Sequence, residues 1–270
     1  MNIGIVGANG FVGRNLCSNF LHKNANVFAY YNANYSLIPN GCNIISLKSD
    51  LDQKLDCLII AIGGHSSDHE EFVRQFDVIF MLLRKMTFKK LIFISSVAVY
   101  GQHDKTIFID SCFNNPNLYG RSKLAQEFII SSVQDYLIIR PTYLYGDGME
   151  KNSLIPIWID DALNKKEILI YGNGERKQDY LHIDDLCRLC WQAILSNVKN
   201  RTLLVASGVS ISNFDLATNI IDRVPNSELR FLGVDKSSSF VFDISLTKSL
   251  YDWRPEKNVI KWLHQSIFFK

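Results

Sequence analysis

Tyr119 and Lys123 stand four residues apart in a stretch, 118–133, whose apolar spacing predicts a helix, so both side chains fall on one helical face. An ammonium beside a phenol favours the phenolate and draws its pKa down from about 10. Such a phenol can trade a proton with a carbinol or carbonyl while a hydride moves to or from a nicotinamide ring. Ser96 follows an apolar run upstream and offers a hydroxyl to the same oxygen. A tyrosine four residues ahead of a lysine is, by itself, commonly a solvated helix face. Three segments in the right order raise this pair to a catalytic candidate: a glycine loop, then the serine-bearing strand end, then the Tyr-Lys helix.

The glycine loop is Gly7-Ala8-Asn9-Gly10-Phe11-Val12-Gly13, directly after the apolar run 2–6 and directly before a helical pattern over 11–22. At a first strand–helix junction each glycine answers a separate steric need. Gly7 permits the turn, Gly10 admits a diphosphate to the backbone, and Gly13 lets helix and strand pack closely. The first amides of the helix, at its positive dipole end, then hold the diphosphate. An acid roughly 20 residues beyond such a loop grips the ribose of NAD, but residues 1–49 contain no Asp or Glu. The second strand ends on Tyr31-Asn32, where a 2′-phosphate meets no repulsion and Arg14 is a candidate to reach it. Asn32 can equally serve a plain ribose, so NADP is the leading expectation and NAD the alternative.

The elements that must position these groups repeat as strand, helix, strand. Strands are predicted over 2–6, 26–31, 43–47, 56–62, 90–95 and 135–140, with helices over 11–22, 70–86 and 118–133. That alternation implies an α/β fold, a doubly wound parallel sheet of the Rossmann kind, with its binding crevice at the carboxyl ends of the strands. Beyond Pro141 glycines and tyrosines crowd 142–180, and helices return over 184–195 and 212–223. The expected division is a dinucleotide-binding domain over 1–141 and a smaller α+β substrate lobe over 142–270, with 183–206 returning to the first body. Among 270 residues 47 % are hydrophobic and 21 % charged, which marks a globular rather than a disordered chain. A net charge of +2 with no basic run gives no footprint for nucleic acid. No apolar stretch approaches the ~18 residues of a membrane span, and residues 1–5 lack the basic start and long apolar run of a secretion signal, so a cytoplasmic protein is expected.

Several other features have plain explanations. The six cysteines show no framework spacing, and Cys187 and Cys190 fall on a predicted helix face with no second pair nearby, so no metal site is expected. His65 and His69 flank a polar loop without a third ligand. His182 with Asp184 and Asp185 suits a helix start. Trp253, Trp262, Phe268 and Phe269 read as core. Tyr143, Tyr145 and Tyr171 fall in predicted loops, where amphipathic rings suit either packing or a sugar face.

Over nearly its whole length the chain resembles the extended short-chain dehydrogenase/reductase family, the epimerase/dehydratase group acting on nucleotide sugars. The resemblance rests on Gly7, Gly10 and Gly13 with Phe11-Val12, on Asp50-Leu51, and on Ser95-Ser96 through Val99-Tyr100-Gly101. It continues with Tyr119, Lys123 and Glu127, Arg140 with Tyr145-Gly146, the Gly172–Gly174 turn and His182-Ile183-Asp184-Asp185. It implies Ser96, Tyr119 and Lys123 as the catalytic set. It also implies a cofactor site formed by Gly7, Asn9, Gly10, Phe11, Val12, Gly13, Arg14, Tyr31, Asn32 and Lys123. Asp50 and Leu51 would border the adenine, Ile62 and Gly63 the diphosphate and ribose, and Pro141 the nicotinamide. A nucleotide sugar would meet Ser96, Tyr119, Tyr143, Arg176 and Gln178, and the family's habit of pairing two long helices implies a homodimer through 70–86 and 118–133.

Departures narrow the chemistry. Val97-Ala98 stand where dehydratases carry an acidic pair, so acid–base removal of a hydroxyl has no agents. Tyr143 replaces a usual asparagine, and Gln178 replaces the arginine that holds the substrate diphosphate, with Arg176 two positions away. The leading expectation is an NADPH-dependent reductase of a 4-keto sugar nucleotide. The alternatives are an NAD-dependent 4-epimerase using the same Tyr119 and Lys123, and a dinucleotide sensor without turnover.

Overall fold

The computed structural model describes residues 1–63 and 68–265; His65, Phe268 and Phe269 lie outside them. Its centre is a seven-stranded sheet in which every neighbouring pair is parallel. The strands are β1 (Asn2–Val6), β2 (Asn26–Tyr31), β3 (Asn43–Ser46), β4 (Lys54–Ile60), β5 (Thr87–Ile94) and β6 (Tyr136–Pro141). Three more follow in the chain before the seventh member, β10 (Arg201–Val205). The order across the sheet is β10-β6-β5-β4-β1-β2-β3. The winding therefore reverses between β1 and β4, and the ends of those two strands define the crevice.

Continuous apolar runs make this sheet because both faces are covered. Ile3, Ile5 and Ile59 face one side with Leu16 and Phe20 of α1 (Phe11–His22). Val6, Leu58 and Ile60 face the other, with Ile79 and Leu82 of α2 (His69–Lys85) and Ile130 of α3 (Leu118–Ile130). Alternation at period two thus assigns each side chain to a layer. The sequence places β1, β2 and α1 at their observed bounds, while β4 starts two residues earlier than the apolar run suggests. Lys54 and Leu55 add register with Thr87 and Phe88 of β5.

The stretch 142–180 holds more strand than its glycines suggest. It contains β7 (Tyr143–Tyr145), α4 (Leu154–Asp160) with a π turn after it, β8 (Glu167–Tyr171) and most of β9 (Lys177–His182). β9 pairs with β7 and with β11 (Ser210–Ser212), and β8 pairs with β12 (Glu228–Leu232). These ribbons, with α6 (Asn213–Ile221) and α8 (Val259–Gln265), close a separate apolar core around Trp158, Ile168, Leu216 and Leu263. The helix α5 (Ile183–Leu195) packs on α1, and β10 pairs with β6, so this part of the chain lies in the first body. Trp253 is buried beside α5, just beyond α7 (Ser245–Tyr251), and donates from its indole to Asp185 O. Cys187 and Cys190 are buried on α5. No helix among the described residues is long and apolar enough to cross a membrane, and no group of three or more His, Cys, Asp or Glu there is arranged to hold a metal ion.

Candidate active site

At the carboxyl end of β1 the chain turns on Gly7 (φ +83), where a Cβ would stand 2.4 Å from Ala61 O. A Cβ on Gly13 would stand 2.1 Å from Gly7 O, so only hydrogen allows α1 to lie this close to β1. Gly10 caps α1 with an extended backbone and no side chain over the helix end, and it is exposed. The amides of Phe11, Val12 and Gly13 therefore begin α1 at the crevice with no side-chain cap, which is the cradle a diphosphate requires. Asn9 Oδ1 accepts from Leu37 N at 2.8 Å and so ties the segment after β2 to the glycine turn. The Tyr31 ring packs on Tyr35 with centroids 5.0 Å apart, and Asn32 is exposed at the strand's end. Leu51 is buried against the sheet while Asp50 is exposed.

Arg14 corrects one expectation. Its guanidinium donates to Gly148 O in the second lobe and stands 5.7 Å from the Phe11 ring centroid. Its charge is thus engaged by the turn after β7. The absence of an acid in residues 1–49 is then what remains to favour NADP.

Lys123, on α3, is the organising side chain. Its Nζ donates to Ile62 O at 2.7 Å and to Ile94 O at 3.1 Å, joining the ends of β4 and β5. It lies 4.8 Å from the Phe93 ring centroid and 5.9 Å from that of Tyr119. Gly63 (φ +136) makes room for it, since a Cβ there would come within 2.9 Å of Nζ. Tyr119 hydrogen-bonds Ser96, whose Oγ also accepts from Ala98 N at 3.1 Å as the cap of a short 3-10 turn, Val97–Tyr100. Pro141 ends β6 and is buried. The structure therefore brings Ser96, Tyr119, Lys123, Ile62 and Gly63 together at the carboxyl edge of the sheet. Val97 and Ala98, next in the chain, carry no acid–base group.

The expected depression of the Tyr119 pKa is absent. Burial pushes the phenol up to about 12, with the Ser96 hydrogen bond pulling weakly the other way. Burial brings Lys123 down to about 7, opposed by Glu127. The Lys123 ammonium stands over the Tyr119 ring, and its own desolvation favours the neutral amine. Sequence spacing correctly stacked the two residues but carried no information on burial.

Behind this set lies a network that residue spacing did not join. Glu127 receives Arg140 Nη2 at 2.7 Å and Arg140 Nε at 3.0 Å, and also accepts from Ser95 Oγ. Arg140 Nη1 donates to Tyr100 OH at 2.8 Å, which in turn donates to Ile109 O. Glu127 and Arg140 are both buried, so each charge depends on the other. Together they fix α3 to the ends of β5 and β6. The available signal was a charged residue inside an otherwise apolar strand, Arg140.

The substrate candidates separate. Tyr143 is exposed on β7, with its ring 6.1 Å from Tyr180 and 6.4 Å from Phe240. Arg176 lines an open cleft of about 960 Å³ with Gly172, Asn173, Phe231, Asp235 and Ser239, and its Nε donates to Ser238 O at 3.2 Å. Gln178 does not line that cleft: it is buried, with its amide 3.4 Å from Asn213 Oδ1. An arginine there would have to be buried as well. His69 begins α2, and His182 Nδ1 accepts from Asp184 N as the cap of α5.

The chain belongs to the NAD dependent epimerase/dehydratase family, whose pattern matches residues 3–206, and with its Rossmann sheet it is an enzyme of the extended short-chain dehydrogenase type. A putative UDP-glucose 4-epimerase of Methanocaldococcus jannaschii is 24 % identical over 96 % of this chain and 97 % of its own length. The low-salt glycan biosynthesis protein Agl12 of Haloferax volcanii is 25 % identical over 60 % of this chain, a match that spans 56 % of that protein. The UDP-glucuronic acid 4-epimerase of Bacillus cereus, solved with UDP-glucuronic acid and NAD, shares the fold with a TM-score of 0.85 at 21 % identity, covering 98 % of this chain and 97 % of that one.

Proposed function

We propose that this protein reduces a 4-keto sugar nucleotide, using a nicotinamide dinucleotide held on the Gly7–Gly13 turn. The observation that carries the proposal is the meeting of Ser96, Tyr119 and Lys123 at the strand ends next to that turn, with Val97 and Ala98 where elimination would need carboxylates. Bound there, the dinucleotide supplies the hydride. Tyr119 gives its proton to the substrate oxygen, which its raised pKa keeps available throughout the neutral range. Ser96 fixes that oxygen by a second hydrogen bond. Ile62 O and Ile94 O hold two Lys123 donors, and the third serves a ribose hydroxyl. In its charged form Lys123 lowers the cost of the phenolate left behind. Tyr143 covers the sugar, and Arg176 holds its diphosphate from the cleft that it lines.

Tyr31 and Asn32 offer no carboxylate to select NAD, and Arg14 is engaged by Gly148 O. Both dinucleotides should therefore serve, within about tenfold of each other, a preference worth ~1.4 kcal/mol or less. A homodimer through the outward faces of α2 and α3, where Val73, Phe80 and Phe128 are exposed, belongs to the same proposal. The second reading, a 4-epimerase, is favoured by the match to the Methanocaldococcus jannaschii protein along nearly all of both chains. Mass analysis of whatever dinucleotide co-purifies separates the two. A reductase emerges largely empty and oxidises added NADH or NADPH when given keto-sugar nucleotides. An epimerase emerges loaded and shows no net oxidation, and a sensor binds dinucleotide with neither activity.

A further inference from the structure

Tyr119 and Lys123 are borne on α3, but Ser96 stands at a joint: β5 has just ended and the 3-10 turn Val97–Tyr100 begins behind it. One face of α3, formed by Gly120, Lys123 and Glu127 at spacings of three and four, lies along this joint. A Cβ on Gly120 would stand 2.2 Å from Ala98 O, Lys123 Nζ donates to Ile94 O, and Glu127 Oε1 accepts from Ser95 Oγ. From β6, Ile139 O accepts from Ser95 N at 2.7 Å, and the next residue is Arg140. Arg140 rests on both Glu127 oxygens through Nε and Nη2 and directs Nη1 to Tyr100 OH at 2.8 Å. Tyr100 closes the turn: its OH donates to Ile109 O at 3.0 Å, and its carbonyl accepts from Asn114 N at 2.8 Å.

We infer that Glu127 and Arg140 are positioning residues for Ser96, a buried ion pair that clamps the serine-bearing turn through Ser95 at its start and Tyr100 at its end. On the proposed function Ser96 orients the substrate oxygen, and the clamp's value to catalysis rests on that role. The planar guanidinium sets its two arms at a fixed angle, one on the carboxylate and one on the phenol. Each buried charge is costly without the other, so neither arm is free to swing away. A brace for α3 alone would need only the contact between Glu127 and Arg140. The arms to Ser95 and Tyr100 add a hold on the segment between them, and Ser96 lies in that segment.

The full chain is compared with Tyr100→Phe, which keeps the ring 5.0 Å from the Arg140 guanidinium but removes the hydroxyl, and with Ser95→Ala, which cuts the other arm. Both variants leave Glu127 paired with Arg140. Amide exchange at Ala98, whose N–H donates to Ser96 Oγ at 3.1 Å, is followed by NMR and requires no turnover. It should quicken about fivefold or more in both variants, while the amides of β1 keep their rates. With keto-sugar nucleotides each variant should lose about tenfold in kcat at nearly unchanged KM for the dinucleotide. In a Ser96→Ala background neither substitution should lower kcat further, because the group it positions is gone. The inference is overturned if Ala98 exchanges at its natural rate in either variant, or if the kcat losses persist undiminished beside Ser96→Ala. A natural chain that oxidises no reduced dinucleotide defeats the proposed function instead, and Ala98 exchange still decides whether the pair holds the turn.

Discussion

The strand-end crevice proposed to hold the cofactor and the cleft proposed to receive the substrate are built by different means. In the proposed cofactor crevice the contacts fall on backbone: Gly7 against Ala61 O, Gly13 against Gly7 O, and the Lys123 side chain between the carbonyls of Ile62 and Ile94. The proposed substrate cleft is lined by side chains and turns, among them Arg176, Phe231 and Asp235, borne on short ribbons with their own small core. The first arrangement tolerates almost no change in residue type. The second can be altered one side chain at a time, which is how a common catalytic frame serves different substrates.

Substitutions should reproduce that contrast. The largest effect on stability is expected from Glu127→Ala, which strands the buried Arg140 guanidinium and should cost ~3–5 kcal/mol in denaturant unfolding. Gly13→Ala must push α1 off β1, costing ~1–3 kcal/mol, and dinucleotide titration should show lost affinity. Arg176→Gln should leave both stability and kcat near their original values while raising KM for the nucleotide sugar about tenfold, ~1.4 kcal/mol of binding. An equal loss in kcat would move Arg176 into the reacting centre.

The Lys123 side of the contrast is read in the pH dependence of stability. The Lys123 pKa is about 7 in the fold and rises to ~10.4 on unfolding. Between those values the unfolded chain binds the extra proton, so stability should climb as pH rises from 7 toward 10. Below pH 7 both states carry the charge and the desolvation penalty is present in full. Urea midpoints for the natural chain and Lys123→Met, compared across that range, should diverge by this slope. Parallel curves would show that Lys123 is charged in the fold throughout.

What the sequence displays follows the same division. β1, β2 and α1 are legible because their apolar runs and glycine spacings are local, and Ser96, Tyr119 and Lys123 because motif order is local too. The carbonyls of Ile62 and Ile94 are not, since any residue supplies a backbone oxygen. The upward shift of Tyr119 depends on burial by distant segments, and the Arg14–Gly148 contact spans the two lobes. β8 and β12 are hidden because each is short and gains its pairing from a partner far along the chain.

The proposed chemistry depends on Tyr119 as the proton donor beside a bound dinucleotide. Its most direct test is Tyr119→Phe, assayed for NADH and NADPH binding and for oxidation of the reduced dinucleotide by keto-sugar nucleotides. Removing the hydroxyl should leave dinucleotide affinity nearly unchanged and lower kcat by ~10²-fold or more. A variant that turns over at the natural rate would contradict it.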